Sequence, residues 1–419
     1  MADSTTRGNF PSQIVSDAEK RSYGYGLRVA QTIESEWLGN SGNNNNRLRV
    51  AQNSFHNLRL YARGEQSIQK YKDELSINGD LSYLNLDWKP VPIIPKFVDI
   101  VVNGIAERIY DIKAYSQDPY GVSQRTEYME SVIRDMNSKG LNDYARDQFN
   151  INLYENDEEQ LPDSQEELAI HMQLNYKQNI ELAEEQAINT IFDGNRYELT
   201  KKRFYYDLTV LGIGCVKNNF NTSEGLVIDY VDPANVVYSH TDDPYFSDIY
   251  YIGEIKNVTI NELKKQFPDL TNEDLLEIEE NSNPNTRGYR GAIREQDENI
   301  VQVLYFNYKT YMNDVYKVKK TASGASKIIP KDDSFDPPIE DENFKKLSKS
   351  IEVLYDGALI VGTNKLLKWE IAKNMIRPKS DYTKVKMNYS IVAPRMYKGK
   401  IESLVGRITG FADMIQLTH

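Results

Sequence analysis

An α+β fold is predicted by three observations. Between residues 95 and 109, Phe97, Val101, Ile105 and Ile109 recur every four positions beside Val98 and Val102, the spacing of a wide apolar helix face. Between residues 214 and 255, short apolar or alternating runs are separated by turn residues, which is the pattern of strands. A second strand-rich stretch spans residues 301–361.

The elements follow in order. Residues 1–49 are polar and contain Gly39-Asn40-Ser41-Gly42 and Asn43 to Asn46, so a flexible N-terminal arm is expected there. A helix with Phe55, Leu58, Leu60 and Tyr61 then runs to a turn near Asn78-Gly79-Asp80. In Trp88-Lys89-Pro90-Val91-Pro92-Ile93-Ile94-Pro95, three prolines hold the chain extended until Pro95 serves as the first helical residue. The helix it opens carries the wide face named above, which must pack on something. An extended piece, residues 111–115, leads to Asp118-Pro119.

A helix is expected over residues 123–139, closed by Gly140, and a longer one from Ser164, where Glu167 completes a capping box. Strands occupy residues 214–255, with a loop at 221–225, and short helices follow at 259–267 and 271–280. Residues 281–288 are a linker. Beyond it, strands are expected at 301–308, 315–318 and 351–361, the last turning as a hairpin at Asp356-Gly357. Residues 322–343 form a long exposed loop, and residues 401–419 resume a helical pattern that stops without a cap, as in a fragment of a longer protein.

Composition narrows the function. The chain has 419 residues, enough for two or three structural units. Its 29 tyrosines suit half-wet contacts such as subunit interfaces. A net charge of −12 opposes phosphate binding by the whole surface, while a local basic patch stays open. One cysteine, Cys215, allows no intrachain disulfide and reads as a small buried apolar residue. The start of the chain lacks a secretory pattern, and the apolar stretch at 91–109 is interrupted by charges, so no membrane role is expected.

Chemical sites are sparse. Glu254-Ile255-Lys256 at a strand end, with Asp229 and Asp232 a hairpin upstream, has the composition of a metal-dependent nuclease. The same triplet recurs at Glu262-Leu263-Lys264, and Asp232 precedes Pro233 in a turn, so strand-end charge and turn chemistry explain these residues better. Gly212-Ile213-Gly214 lacks the rest of a nucleotide loop and reads as a helix stop. His56, His171, His240 and His419 have no metal-ligand spacing, and the acidic run at 155–159 reads as a solvated connector. Lys201-Lys202-Arg203 beside Phe204-Tyr205-Tyr206, and the run Lys317 to Lys320, are the candidates for nucleic-acid contact, weighed against solvated flanks of packed elements. No catalytic, cofactor or metal residues are assigned, and the chain is not expected to be an enzyme.

Three blocks, residues 88–119, 207–262 and 388–419, resemble portal proteins of tailed bacteriophages, particularly those of crAss-like phages. The first contains the proline run. The second carries Leu211-Gly212-Ile213-Gly214-Cys215-Val216 and the corners Asp232-Pro233 and Asp243-Pro244. The third carries Tyr389-Ser390-Ile391-Val392-Ala393-Pro394 followed by Ser403-Leu404-Val405-Gly406. The resemblance implies a portal-like α+β fold: a helical wing with β-hairpins over residues 50–258, a stem candidate and linker at 259–297, a β-rich clip at 298–376, and a return segment at 377–419 that begins the channel-side helix.

It also implies a ring of about twelve subunits at one capsid vertex. Such a ring is the conduit for DNA packaging and ejection. Its partners would be further copies of the chain, the major capsid protein, the terminase in passing, neck and tail adaptor proteins, and double-stranded DNA passing without sequence specificity. The implied location is the virion, with assembly in the host cytoplasm, and no cofactor is implied. An acidic channel wall would keep DNA passage smooth. The crown and the rest of the channel helix would lie beyond His419. The alternative from another class is a non-ring capsid scaffold or neck adaptor.

Overall fold

The computed structural model describes residues 10–39, 46–76, 89–107, 112–116, 118–156, 161–174, 179–221, 225–281, 300–320, 326–333, 335 and 344–418. The chain divides into two units, Met1–Glu107 with Leu199–His419, and Arg108–Glu198. Among the described residues helix makes up 47% and strand 25%, and every named strand pair is antiparallel, which makes the chain α+β.

In chain order the helices are α1 (Asp17–Lys20), α2 (Tyr23–Leu38), α3 (Arg47–Arg63), α4 (Gln69–Leu75), α5 (Ile94–Ala106), α6 (Pro119–Asn137), α7 (Lys139–Phe149), α8 (Gln165–Leu174), α9 (Asn179–Gly194), α10 (Tyr197–Val210), α11 (Ile260–Gln266), α12 (Asn272–Asn281) and α13 (Leu404–Thr418). The strands are β1 (Gly214–Asn221), β2 (Gly225–Val231), β3 (Val236–Tyr238), β4 (Tyr251–Thr259), β5 (Ile300–Lys320), β6 (Ser326–Lys331), β7 (Phe344–Ile360), β8 (Leu366–Ile371), β9 (Tyr389–Val392), β10 (Met396–Tyr397) and β11 (Lys400–Ile401).

Within the first unit, β1 lies between β2 and β9, and a six-stranded sheet runs β3-β4-β5-β7-β8 with β6 paired to β5. This sheet joins β4, at the end of the expected wing, to strands of the expected clip, so it crosses both sequence boundaries at 258 and 297.

Residues 300–320 are one strand, not the two expected, because β7 pairs with β5 from Val303↔Ile360 to Lys319↔Phe344. The hairpin expected at Asp356-Gly357 is corrected too. Both residues lie mid-strand in β7, where Gly357 sits opposite Phe306 and a Cβ at that position would stand 2.2 Å from the Phe306 ring. The glycine makes room for an aromatic ring and turns nothing. Residues 326–331, expected within a loop, form β6 because β5 extends far enough to template them.

The expected flexible arm at 1–49 is corrected over its described part. Tyr25, Val29, Ile33 and Trp37 fall at spacings of four on α2 and are buried against Tyr251, Tyr308, Tyr355 and Leu359 of the large sheet. Ser22 caps α2 by accepting the Tyr25 amide, and Trp37 Nε1 donates to Tyr251 Oη at 3.1 Å. Of the expected run Asn43 to Asn46, only Asn46 is described, and it caps α3 by accepting the Arg49 amide at 2.8 Å; most of the 281–288 linker and the Asn78-Gly79-Asp80 turn lie outside the described residues. The tyrosine surplus serves this core first: Tyr25, Tyr251, Tyr308 and Tyr355 are among the largest fully buried side chains, and Trp369 stacks on Tyr355 at 4.7 Å.

A second core joins α3, α5, α10 and α13 to the three-stranded sheet through Val98, Val102, Val210, Ile213, Cys215, Ile391 and Val405. Asp413 fastens α13 there, accepting hydrogen bonds from Tyr61 and Tyr71 hydroxyls at 2.8 and 2.7 Å. A third core packs α11 and α12 on the sheet through Leu263, Ile278, Val301 and Ile360. These helices, the expected stem candidate, are only 7 and 10 residues long.

The second unit is helical around Val132, Leu168 and Met172. Gly140 was expected to close a helix ending at 139. Instead α6 ends at Asn137 and α7 begins at once, with Gly140 inside it. The Ser164 cap is present, its hydroxyl accepting the Glu167 amide at 3.2 Å.

Candidate functional site

Glu254 was expected at a strand end near Asp229 and Asp232. It lies instead in the middle of β4, paired with Val236 and Tyr305, and is 2% exposed. Its Oε1 accepts from Lys217 Nζ at 3.0 Å and from Tyr389 Oη at 3.3 Å, with Lys256 Nζ at 3.2 Å. Lys217 and Tyr389 are partners across β1 and β9, so their contacts with buried Glu254 tie the three-stranded sheet to the six-stranded one. Burial, reinforced by the Glu254 carboxylate, holds the Tyr389 hydroxyl well above its ordinary range. The carboxylate is committed to joining sheets.

Asp232 is held elsewhere. Arg59 of α3 grips it with two hydrogen bonds, Nη2 to Oδ1 at 2.6 Å and Nη1 to Oδ2 at 3.1 Å, and reaches Asp207 Oδ1 at 3.4 Å. Asp232 Oδ1 also accepts the Ala234 amide at 3.0 Å, the turn role read from Asp-Pro. Asp207 accepts the Tyr230 hydroxyl at 2.5 Å. Burial pushes the Asp207 carboxyl up to about 6, against the opposing pull of Tyr230 and Arg59. Asp229 is exposed on β2. Among the described residues, no three His, Cys, Asp or Glu side chains are gathered as a metal-ligand group.

The remaining sequence candidates also have structural roles. Gly212 ends α10 with φ at 81°, as expected of a helix stop. Gly214 does not share that conformation; it is small because the Phe204 ring would lie 2.6 Å from a Cβ. Cys215 is fully buried, and burial pushes its thiol up. His171 contacts the Tyr128 hydroxyl at 3.0 Å in the second unit, His240 is exposed beside Asp242, and His419 lies outside the described residues. In the acidic run, the Glu155 and Asn156 amides donate to the buried Asp135 carboxylate at 3.1 and 2.9 Å. Lys201 is buried, and Tyr205 and Tyr206 pack on the second core, so this run does not present its tyrosines as stacking faces. Lys317 to Lys320 lie on the far end of β5.

A cavity of about 760 Å³ in the first unit is lined by α2, α3 and the turn after β7. Its polar groups largely answer one another. Glu34 accepts the Gly362 amide at 2.6 Å, Gln31 donates to Asn364 at 2.7 Å, and Gln52 donates to Asn235 at 3.1 Å. Burial raises the Glu34 carboxyl, offset in part by the Gly362 amide. Walls that satisfy themselves leave few directed groups for a ligand.

The surface carries the unexplained feature. The wide face expected to pack on α5 was Phe97, Val101, Ile105 and Ile109 flanked by Val98 and Val102. The structure buries Val98 and Val102 together with Ile94 and leaves Phe97 54% and Ile100 60% exposed, while Ile109 lies outside the described residues. Neighbouring α13 exposes Phe411 and Met414. In the second unit, α7 places Leu141, Tyr144 and Phe149 in solvent, each more than 60% exposed, while its one buried side chain is Asn142. An amphipathic helix with its apolar side outward is the reverse of ordinary packing.

Arg59, Lys217, Tyr230, Tyr389 and Asp413 were missed from sequence. Their partners lie far away along the chain, and no local pattern marks them. Against known protein families and curated proteins, the chain finds no match.

Proposed function

We propose that the chain is a structural, non-catalytic subunit of a homo-oligomeric ring, a portal or head-to-tail connector at a capsid vertex. The observation that carries this reading is the pair of unpartnered apolar surfaces, α5 with α13 on one unit and α7 on the other. A head-to-tail ring needs two different faces on every subunit, one for each neighbour, whereas a two-fold dimer uses one face twice. The inward commitment of Glu254, Asp207 and Asp232 agrees with a protein whose charges organise the fold.

In this reading the chain resembles portal proteins in fold and role, with terminase, neck and tail adaptors and the major capsid protein as partners. Duplex DNA would pass through the ring. Native mass measurement of the assembled protein tests it. A closed ring of about a dozen copies is expected, and a monomer or dimer at high concentration would point to a non-ring scaffold or neck adaptor instead.

A further inference from the structure

The far end of the large sheet is a three-stranded arm in which β5 pairs with β6 on one side and β7 on the other. Directly opposed residues in antiparallel strands share a face, and alternate residues along a strand share it too. Val315 lies between Lys331 and Ser348, Lys317 between Ile329 and Lys346, and Lys319 between Lys327 and Phe344. One face therefore collects Lys317, Lys319, Lys327, Lys331 and Lys346, with no carboxylate on those three rungs.

The opposite face is more apolar. It carries Tyr316, Val318, Ile328, Pro330 and Leu347 together with Lys320, Lys345 and Lys349, the last of these across from Asp314. Like charges placed directly opposite, as in Lys317 with Lys346 and Lys319 with Lys327, oppose sheet formation. The arm nonetheless gathers them, in a chain whose net charge is −12. Lys319, Lys327 and Lys331 are exposed, and Lys319, Lys327 and Lys346 make no ion pair among the described residues.

We propose that the lysine face of this arm is a sequence-independent contact site for the phosphate backbone of duplex DNA. Alternate residues along a strand are about 6.8 Å apart, twice the rise of about 3.4 Å per phosphate on one DNA strand, so the ladder can follow a backbone. All five cations are lysines. Their compact charges attract phosphate without the fixed two-pronged geometry by which arginine grips a carboxylate, which favours a sliding polyanion over an acidic peptide. The face holds no helix or motif for reading bases, so contact is to the backbone alone. The choice of DNA over other polyanions rests on the conduit reading above, to which it adds a place of contact.

The test is fluorescence anisotropy of a random-sequence 30-base-pair duplex against the full chain, from about 50 to 200 mM salt. With five phosphates engaged, wild-type affinity should fall up to about 500-fold across that range, whereas K319Q/K327Q/K346Q, with two lysines left, should fall about tenfold and bind more weakly at low salt. K265Q/K373Q/K400Q makes the same charge change on exposed lysines elsewhere and should bind as wild type does. Equal binding by the two triple variants, or no wild-type binding at 50 mM salt, overturns the site. Tighter, equally lysine-dependent binding of polyglutamate would reassign it to an acidic protein partner. Native mass of the same samples separates the two ideas: a ring without lysine-dependent DNA binding removes only the contact site, and such binding without a ring removes only the portal reading.

Discussion

Substituting Gly357 by alanine should destabilise the first unit, although removing a glycine from a strand interior ordinarily helps. Phe306 on β5 lies between Gly253 on β4 and Gly357 on β7, and is 2% exposed. A Cβ on residue 357 would stand 2.2, 2.5 and 2.8 Å from three atoms of the Phe306 ring, so the ring or the strand must move. Overpacking of this kind costs roughly 1–3 kcal/mol. Alanine recovers about 0.5–1 kcal/mol of the backbone entropy that glycine loses. The net expectation is a loss of about 1–2 kcal/mol. Trp37 and Trp369 both belong to the first unit, so fluorescence-monitored urea unfolding reports it. The midpoint should fall with an unchanged slope. In the cycle with F306L, which vacates ring volume, the two substitutions should be coupled by about 1 kcal/mol. A neutral or stabilised G357A, or an additive cycle, would refute the packing argument. A hairpin turn at Asp356-Gly357 predicts a different pattern, backbone strain that F306L cannot relieve.

Three other outcomes are expected. E254A should cost about 2 kcal/mol by leaving half-buried Lys217 without its carboxylate, while the apolar pair K217M/E254L should recover most of that loss; a single-variant cost under about 1 kcal/mol would show that the pair does not hold the sheets. Asp207 has its folded carboxyl raised from 3.8 to about 6, so its contribution is fully present below about pH 4 and is lost as pH rises through 6. The span is at most about 3 kcal/mol, and D207N should flatten the difference in stability between pH 4 and 7; parallel profiles for wild type and D207N would sink it. Finally, I100E and Y144E alter exposed side chains on different units, so each should leave far-ultraviolet circular dichroism unchanged and block assembly by native mass; full-size assemblies from both would remove these faces as interfaces.

What could be read from sequence was governed by local chemistry. Ser164, Gly212 and Asp232-Pro233 act through backbone groups two to five residues away and are found in their expected roles, while Glu167 accepts the Asp163 amide at 2.8 Å rather than that of Ser164. Pro95 falls in the first turn of α5, one residue after its start. Misreadings arose where the same residue types answer to distant partners. Asp356-Gly357 has the composition of a turn, yet its glycine serves Phe306 fifty-one residues earlier. Glycine and polar residues around Tyr25 concealed the four-residue stripe of α2, which only the sheet beneath it makes useful. Glu254 was legible as a charge in a strand but not as a buried one, because Lys217 and Tyr389 arrive from other strands. The apolar face on α5 was visible, but not which stripe of it would be buried.

These cases share a physical asymmetry that bears on function. The carboxylates of Glu254, Asp207 and Asp232 are each engaged by side chains that arrive from other strands and helices. An internal ion pair such as Lys217 with Glu254 adds little net stability over well-packed apolar residues, since two charges must leave water. It does penalise wrong registers, because any slip strands a charge. A subunit that must present surfaces in a fixed arrangement gains from that penalty. Meanwhile large apolar side chains on α5 and α7 remain outside, although Val98 and Val102 show that the fold can bury such groups when the geometry suits. Specific polar contacts inside and apolar helices outside are therefore the combination expected when the last part of the apolar burial is completed by neighbouring copies of the chain.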